Sequence, residues 1–352
     1  MAAAASKRRR SAAVTYRGAG VDIDRGDRLV DRIRRLAART LRAEVLHSIG
    51  GFGAAFTAPR GMRSPVFVTS TDGVGTKLRI AFELDRHDTV GIDLVAMSVN
   101  DVLVLGAAPL VFLDYFATGR LDVGRAAAVV SGIAAGCREA GCALVGGETA
   151  EMPSFYASGE YDLAGFVVGV VERARIVDGS RVRPGHVLIG LPSSGLHSNG
   201  FSLVRAIVTR RRIALSRRIA DFGRTLGEEL IAPTRIYVRP ILDLLASHRV
   251  DALAHITGGG IPGNLPRVLP RGCRARIRRA TWPAPPVFEW LARMGPVDRE
   301  EMDRTLNQGL GMILAVPARR ADGVLSFLKQ RREPAFVVGE VVRGAPGVDM
   351  LD

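Results

Sequence analysis

The chain has 352 residues, nearly half of them hydrophobic, and its 49 Lys and Arg against 35 Asp and Glu leave a formal charge of +14. That length is too great for one ordinary core and predicts two domains, while no charge-free apolar run reaches the roughly 18 residues of a membrane span. Met1 to Arg10 lacks the apolar centre of a secretory signal, and three cysteines (137, 142, 273) fit no metal spacing and cannot pair evenly, which points to a reducing cytoplasm.

Residues 1–14 are expected to be a disordered basic tail. Leu29, Ile33, Leu36, Leu41 and Val45 recur at roughly helical spacing and predict a helix within 28–46, broken by the glycines at 50, 51 and 53. Pro65 to Thr69 reads as a strand, rich in β-branched and aromatic residues, that feeds a polar loop from Ser70 to Lys77. A long helix follows over His87–Gly106. Its Asp93, Met97, Asn100 and Asp101 share one face, either functional or simply solvated. Val111–Phe116 predicts a strand, Arg125–Ala140 a helix, Ala143–Gly146 a short strand entering another loop, and Asp162–Val171 a strand that ends the first half. The Pro/Gly-marked stretch from Asp178 to Gly185 marks the domain junction, dividing 15–175 from 176–352. Beyond it come a strand (Val187–Leu191), a helix from about Phe201, helical segments near 226–247 and 285–293, and strands near 310–316 and 335–343 that close the chain. Strands mixed with helices throughout place the fold in the α/β (α+β) class.

The loop Ser70–Lys77, Ser-Thr-Asp-Gly-Val-Gly-Thr-Lys, carries the strongest chemical signal. Gly73 and Gly75 let backbone N–H groups approach an anion, Lys77 adds a mobile positive charge, and Asp72 has the hardness Mg²⁺ prefers. Together they suggest a magnesium-nucleotide site. Only three of the basic residues are Lys, at 7, 77 and 329, and one of them is kept in this loop. Lysine's compact ammonium can follow a phosphoryl group that arginine's planar fork would hold in place. Four further clusters match it in character. Gly146 to Pro153 contains Glu148, either a functional carboxylate or a cap. Asn100-Asp101 sits mid-helix, where both are mediocre helix formers. Pro192 to Gly200 packs hydroxyls, an amide and His197 ahead of a helix N-terminus that favours anions. His197 could serve as acid, base or hydrogen-bond donor. His255 to Gly260 ends a strand with three glycines.

The sequence holds no P-loop, kinase catalytic loop, nucleophile elbow or zinc-peptidase motif. Its arginines are scattered, without interleaved aromatics or a nucleic-acid-binding pattern, so no nucleic-acid partner is expected.

Six motifs in register, Tyr16–Asp24, Thr71–Lys77, Gly91–Asp101, Gly146–Pro153, Ser193–Gly200 and Thr257–Gly260, closely resemble the phosphoribosylformylglycinamidine cyclo-ligase family, the aminoimidazole ribonucleotide synthetases of purine synthesis. The resemblance runs from about residue 15 to 345. It implies two domains, the N-terminal one joining a second subunit in a shared β-barrel, and a cytoplasmic homodimer with no membrane partner. It also implies ATP- and Mg²⁺-dependent ring closure of formylglycinamidine ribonucleotide, with the formyl oxygen phosphorylated before the amidine nitrogen attacks. In that scheme Lys77, His197 and Asn199 are catalytic, and Asp72, Asp101 and Glu148 are the metal candidates. Arg17, Gly73, Gly75, Thr76, Asn100, Gly147 and Thr149 would contact the nucleotide and its phosphates, and Ser193, Ser194, Thr257, Gly258 and Gly259 the substrate. The chain departs from the family where Arg17 replaces a usual Lys, Gly18 a usual acidic or amide residue, and Gln308 a frequent Cys. A kinase or synthetase of the same superfamily, of the selenophosphate synthetase or thiamine-monophosphate kinase type, is the alternative.

Overall fold

A computed structural model describes residues 15–352, so the tail expected over 1–14 lies outside the described residues. Asp22 caps α1 (Ile23–Ala37) by accepting from the Arg25 N–H at 3.3 Å. This helix starts earlier and ends sooner than its apolar spacing predicts. After a 3₁₀ turn (Ala38–Thr40) the chain enters β1 (Val45–His47), which pairs with β2 (Ala55–Phe56). Leu41 and Val45 continue the helical spacing by coincidence.

The first sheet is built from β3 (Pro65–Gly73), β4 (Ala108–Thr118), β5 (Ala143–Glu151) and β6 (Tyr161–Glu172), in the order β3-β6-β4-β5. β6 runs antiparallel to both neighbours and β4 parallel to β5. Both polar runs read as loops are therefore largely strand. Ladder pairing carries β3 on to Gly73 and β5 on to Glu151, and backbone hydrogen bonding overrides the glycine content of both segments. Between the strands lie α2 (Leu78–Leu84), α3 (Val90–Leu103) and α4 (Val123–Ala140). A side chain at Gly91 would collide with the α4 backbone, and one at Gly132 with the Asp88 carbonyl just before α3, so α3 and α4 cross in direct backbone contact. α3 is buried on nearly every side, which removes the solvated-face alternative for Asn100.

The second sheet has six strands: β7 (His186–Pro192), β10 (Ala252–His255), β11 (Cys273–Arg278), β12 (Leu310–Pro317), β13 (Phe336–Arg343) and β14 (Val348–Leu351). Their order is β10-β12-β7-β13-β11-β14, antiparallel except for the β11–β14 pair. Threaded through them are α5 (Phe201–Arg210), the ribbon β8 (Arg218–Ile219) and β9 (Arg224–Thr225), α6 (Leu226–Leu230), α7 (Val238–Ser247), α8 (Gly260–Asn264), α9 (Pro286–Met294), α10 (Arg299–Thr305) and α11 (Ala321–Gln330). The span 226–247 is thus two helices, and β14 rather than β13 closes the chain. One apolar core runs from α3 and α4 into α7, through Val99, Val102, Ile241 and Leu244, and fixes the two sheets relative to each other.

Candidate active site

The two halves meet where α3 faces the segment joining α6 to α7. Asn100 Nδ2 donates to Arg235 O at 2.9 Å, and its Oδ1 accepts from the Tyr237 N–H at 3.0 Å. Two turns earlier on α3, Asp93 Oδ1 accepts from Thr234 N–H (2.7 Å), Thr234 Oγ1 (2.6 Å) and Lys77 Nζ (2.9 Å). Lys77 Nζ also donates to His197 O (3.0 Å) and Ala232 O (2.6 Å). Lys77 and Asp93 both have 0 % side-chain exposure. Three acceptors take all three ammonium protons, so the mobile charge expected of Lys77 is instead a fixed strut between the halves. Burial pulls the Lys77 pKa down, and Asp93 works against that pull.

Lys77 grips a strained backbone. His197 has φ +60°, unusual for a side chain with a Cβ. Its Nε2 accepts from the N–H groups of Ser194 (3.2 Å) and Arg235 (3.5 Å). The ring proton therefore sits on Nδ1, which is buried without a partner. Burial first, then His255, Lys77 and Arg235, push the His197 pKa well below its ordinary value. His197 is a neutral N–H donor aimed at nothing in the protein.

Asn199 Nδ2 and His255 Nε2 share that condition, as does Asp93 Oδ2 in the Lys77 network. His255 Nδ1 lies 2.9 Å from Asp101 Oδ1, and Ser70 Oγ donates to Asp101 Oδ2 at 3.3 Å. Asp72 follows Ser70 on the same face of β3. Burial raises the Asp72 pKa, the Gly73 N–H at 2.7 Å opposes the rise, and the nearby Asp101 charge adds to it. A Cβ at Gly258 would stand 3.2 Å from Asn199 Oδ1, which places the glycine run beside this amide. Buried polar groups are normally satisfied, so the orphans of His197, Asn199 and His255 beside two carboxylates mark a ligand cleft.

The surrounding loops are held from within. Ser193 Oγ lies 2.8 Å from Gly195 O and 3.2 Å from Asn307 Oδ1, and Ser194 Oγ donates to Pro233 O at 2.6 Å. Asn264 Nδ2 donates to Gly258 O (3.1 Å) and Gly260 O (2.9 Å), and Thr257 Oγ1 lies 3.4 Å from Asn264 Oδ1. Gly259 has φ +95° and Gly75 φ +68°, both left-handed. Thr76 Oγ1 meets Ser202 Oγ, at the start of α5, at 3.2 Å.

A second group of the expected residues lies elsewhere. Gly147 pairs with Asp114, Asp114 with Gly165 and Gly165 with Asp72, so Gly147 stands three strands from Asp72, about 14 Å away. Glu148 is one residue out of that row. It is exposed on the opposite sheet face and cannot join Asp72 and Asp101 around one ion within the chain. Among the described residues no group of three or more His, Cys, Asp or Glu could hold a metal. Gly147 itself is required by packing, because a Cβ there would sit 2.5 Å from Asp114 Oδ1. Arg17 is 64 % exposed and pairs with Asp22 and Asp24, in a turn tied to the end of β5 by the Asp22 N–H bond to Glu151 Oε2 at 2.8 Å. Thr149, half-buried on β5, belongs to the same edge. Asn100, expected at the nucleotide, has its amide fully engaged in clamping residues 235–237.

Residues 60–171 match the family model for the AIR synthase related protein N-terminal domain, and residues 183–350 match its C-terminal counterpart. Phosphoribosylformylglycinamidine cyclo-ligase of Myxococcus xanthus is 59 % identical over 94 % of this chain and 96 % of that protein. The cyclo-ligase of Sorangium cellulosum is 58 % identical over 94 % and 95 %. This chain belongs to the phosphoribosylformylglycinamidine cyclo-ligase family. More distant solved structures share the cyclo-ligase fold. Thiamine-monophosphate kinase from Stenotrophomonas maltophilia aligns with TM-score 0.67 at 20 % identity, covering 92 % of this chain and 95 % of that one. Hydrogenase maturation protein HypE in complex with ATP aligns with TM-score 0.65 at 18 % identity, covering 92 % and 90 %.

Within this cyclo-ligase, sequence reasoning missed Thr234, Asn264 and Asn307 as supports, and it treated His255 as no more than the end of a strand. Thr234 and Asn307 leave no local signal, since their partners lie more than a hundred residues away. His255 left one: an imidazole at a strand's C-terminal end, directly before a glycine run.

Proposed function

We infer that this chain catalyses the ATP-dependent closure of formylglycinamidine ribonucleotide to 5-aminoimidazole ribonucleotide, releasing ADP and phosphate, as a purine-synthesis ligase. The observation that carries this is identity near 59 % over nearly the full length of curated cyclo-ligases, which sets aside the kinase alternative. The residues of the cleft suit the chemistry. His197 Nδ1–H and Asn199 Nδ2–H are positioned to donate to the formyl oxygen as it takes on negative charge and receives the phosphoryl group. His255, oriented by Asp101, presents Nε2 to an N–H of the amidine. Lys77 acts through His197, by holding its carbonyl and its left-handed backbone. Gly73, Gly75 and Thr76 would line the phosphate path, and Ser193, Ser194, Thr257, Gly258 and Gly259 the substrate side.

Two neighbouring carboxylates without a full protein cage fit Mg²⁺ shared with substrate phosphates, so Asp72 and Asp101 would hold it. Bound there, Mg²⁺ supplies neutralisation of phosphate charge.

The chain divides near residue 175, between the last strand of the first sheet and the first of the second. Two copies pair through the four-stranded sheet. It is open in the single chain, with β3 and β5 at its edges and Phe67 and Phe166 exposed at 50 % and 45 % on its outer face. Such pairing would close the barrel and remove both edges. It is also the arrangement in which Arg17, Glu148 and Thr149 of one copy can approach Asp72 of the other. No helix among the described residues is long and apolar enough to cross a membrane, and a cytoplasmic setting accords with three free cysteines. Purified protein given ATP, Mg²⁺ and formylglycinamidine ribonucleotide should release ADP, phosphate and an aminoimidazole product. No product from substrate that a known cyclo-ligase converts would refute this reading.

A further inference from the structure

On the helical side of the first domain, away from the cleft, an open groove of about 750 Å³ runs between α1 and the start of α4. Its walls carry Arg25, Arg28, Arg32, Arg35, Arg120 and Arg125, against two acidic residues, Asp31 and Asp122. The α1 arginines follow one another at steps of three, four and three, so one helical face carries four guanidiniums. Like charges at those steps repel, and nearby carboxylates could quench them. They do so at the two ends, where Arg25 pairs with Asp22 at 3.4 Å and Arg125 with Asp85 at 2.9 Å, and not at Arg28 or Arg32 between them. Asp24, four residues before Arg28, pairs with Arg17 instead, and Asp31, four before Arg35, pairs with Arg34. Asp122 Oδ1 is taken by the N–H groups of Gly124 (2.8 Å) and Arg125 (3.0 Å), so the helix start is already capped. The positive character of the groove comes from its side chains.

Arg35 Nε donates to Asp31 O at 3.3 Å, and two more arginines are anchored at opposite ends. Arg25 bonds to Leu121 O at 3.4 Å, and Arg125 bonds to Gly159 O at 3.3 Å and Asp85 at 2.9 Å. Between them, the guanidiniums of Arg28, Arg32 and Arg120 have no hydrogen-bond or ion-pair partner among the described residues. We propose that this groove binds a small polyphosphate-bearing ligand, at a site separate from the cyclisation cleft. Guanidinium forks match phosphate oxygens in pairs, and several on two facing walls suit a chain of phosphates better than a single one. The volume lies within the range of small-molecule sites, roughly 300–1,000 Å³. The lining has no aromatic side chain, so recognition rests on the phosphates and not on a stacked base.

The test is titration of inorganic tripolyphosphate into the full chain by calorimetry at about 0.15 M salt, where long-range attraction is screened. Saturable one-to-one binding is expected. R28A/R32A should weaken it at least about tenfold, as should R120A on the opposite wall, while R319A/R320A, the same charge removed from an exposed turn elsewhere, should change it less than about twofold. Cyclisation should stay at the wild-type rate in R28A/R32A, which separates this site from the cleft. Three results would overturn the proposal: no saturable binding, equal weakening by the R319A/R320A control, or equally tight binding of a poly-glutamate peptide.

Discussion

The interdomain cleft and the β5 edge of the first sheet both carry residues that read, in sequence, as one phosphate-handling set. In space they differ in almost every respect. The cleft fixes its polar groups through partners from both halves and leaves His197 Nδ1, Asn199 Nδ2, His255 Nε2 and Asp93 Oδ2 unsatisfied. The edge exposes Glu148 and Arg17, and Gly147 there makes room for a neighbouring carboxylate. The cleft gathers unpartnered polar atoms, whereas the edge leaves its polar groups open to solvent. Polar residues in a glycine-rich run are therefore ambiguous until their burial is known.

The largest expected effect lies in the cleft. Lys77→Met leaves Asp93 buried without its charge partner and should destabilise the fold by roughly 3–5 kcal/mol in urea unfolding. An unchanged midpoint would show that Lys77 is no strut. His197→Ala removes one preorganised donor and should lower kcat about 10²–10³-fold. The same variant carries a pH signature. The unfolded imidazole takes up a proton below its ordinary pKa while the folded one does not, so wild-type stability falls as pH drops through about 6.5. His197→Ala should flatten that part of the stability–pH curve, and an unaltered slope would mean the buried ring is protonated in the fold.

On the edge side, burial lifts the Asp114 carboxyl to about 7, opposed by its own backbone N–H. Here the folded state holds the proton more tightly. Stability is retained below the unfolded carboxylate pKa and lost as pH rises toward about 7. Asp114→Asn should therefore stabilise the protein by roughly 2–4 kcal/mol near pH 8 and by almost nothing near pH 4. Equal effects at both pH values would show that packing against Gly147, and not charge, governs this position. The mildest signal tests whether the edge completes the cleft of a second copy. If Asp72→Asn and Glu148→Gln each abolish turnover, mixed and re-equilibrated chains should recover about a quarter of wild-type activity, because half the dimers would keep one intact site. No recovery would confine the site to one chain.

Much of the fold was legible from periodicity, because the strand at 65–69, the helix at 125–140 and the strands at 162–171 and 187–191 each bury a face that local pattern reveals. Errors gathered where tertiary pairing outweighs local preference. The runs ending at Gly73 and Glu151 look like loops, yet ladder bonds to β6 and β4 make them strands. Of the site, the carboxylates at 72 and 101, the imidazole at 197 and the amide at 199 were identifiable as residue types that suit phosphoryl chemistry.

By itself the sequence determined the α/β class, the longest helices and strands, the inventory of chemical groups and the family, since each rests on local pattern or on motifs in register. Only the tertiary structure decided what each group does. Lys77 is a strut because its ammonium meets carbonyls 120 and 155 residues further along the chain. Glu148 stands apart from Asp72 because strand order places them on opposite edges and opposite faces of one sheet. A side chain's charge, mobility and proton affinity are set by burial and by neighbours distant in sequence, which no local pattern encodes.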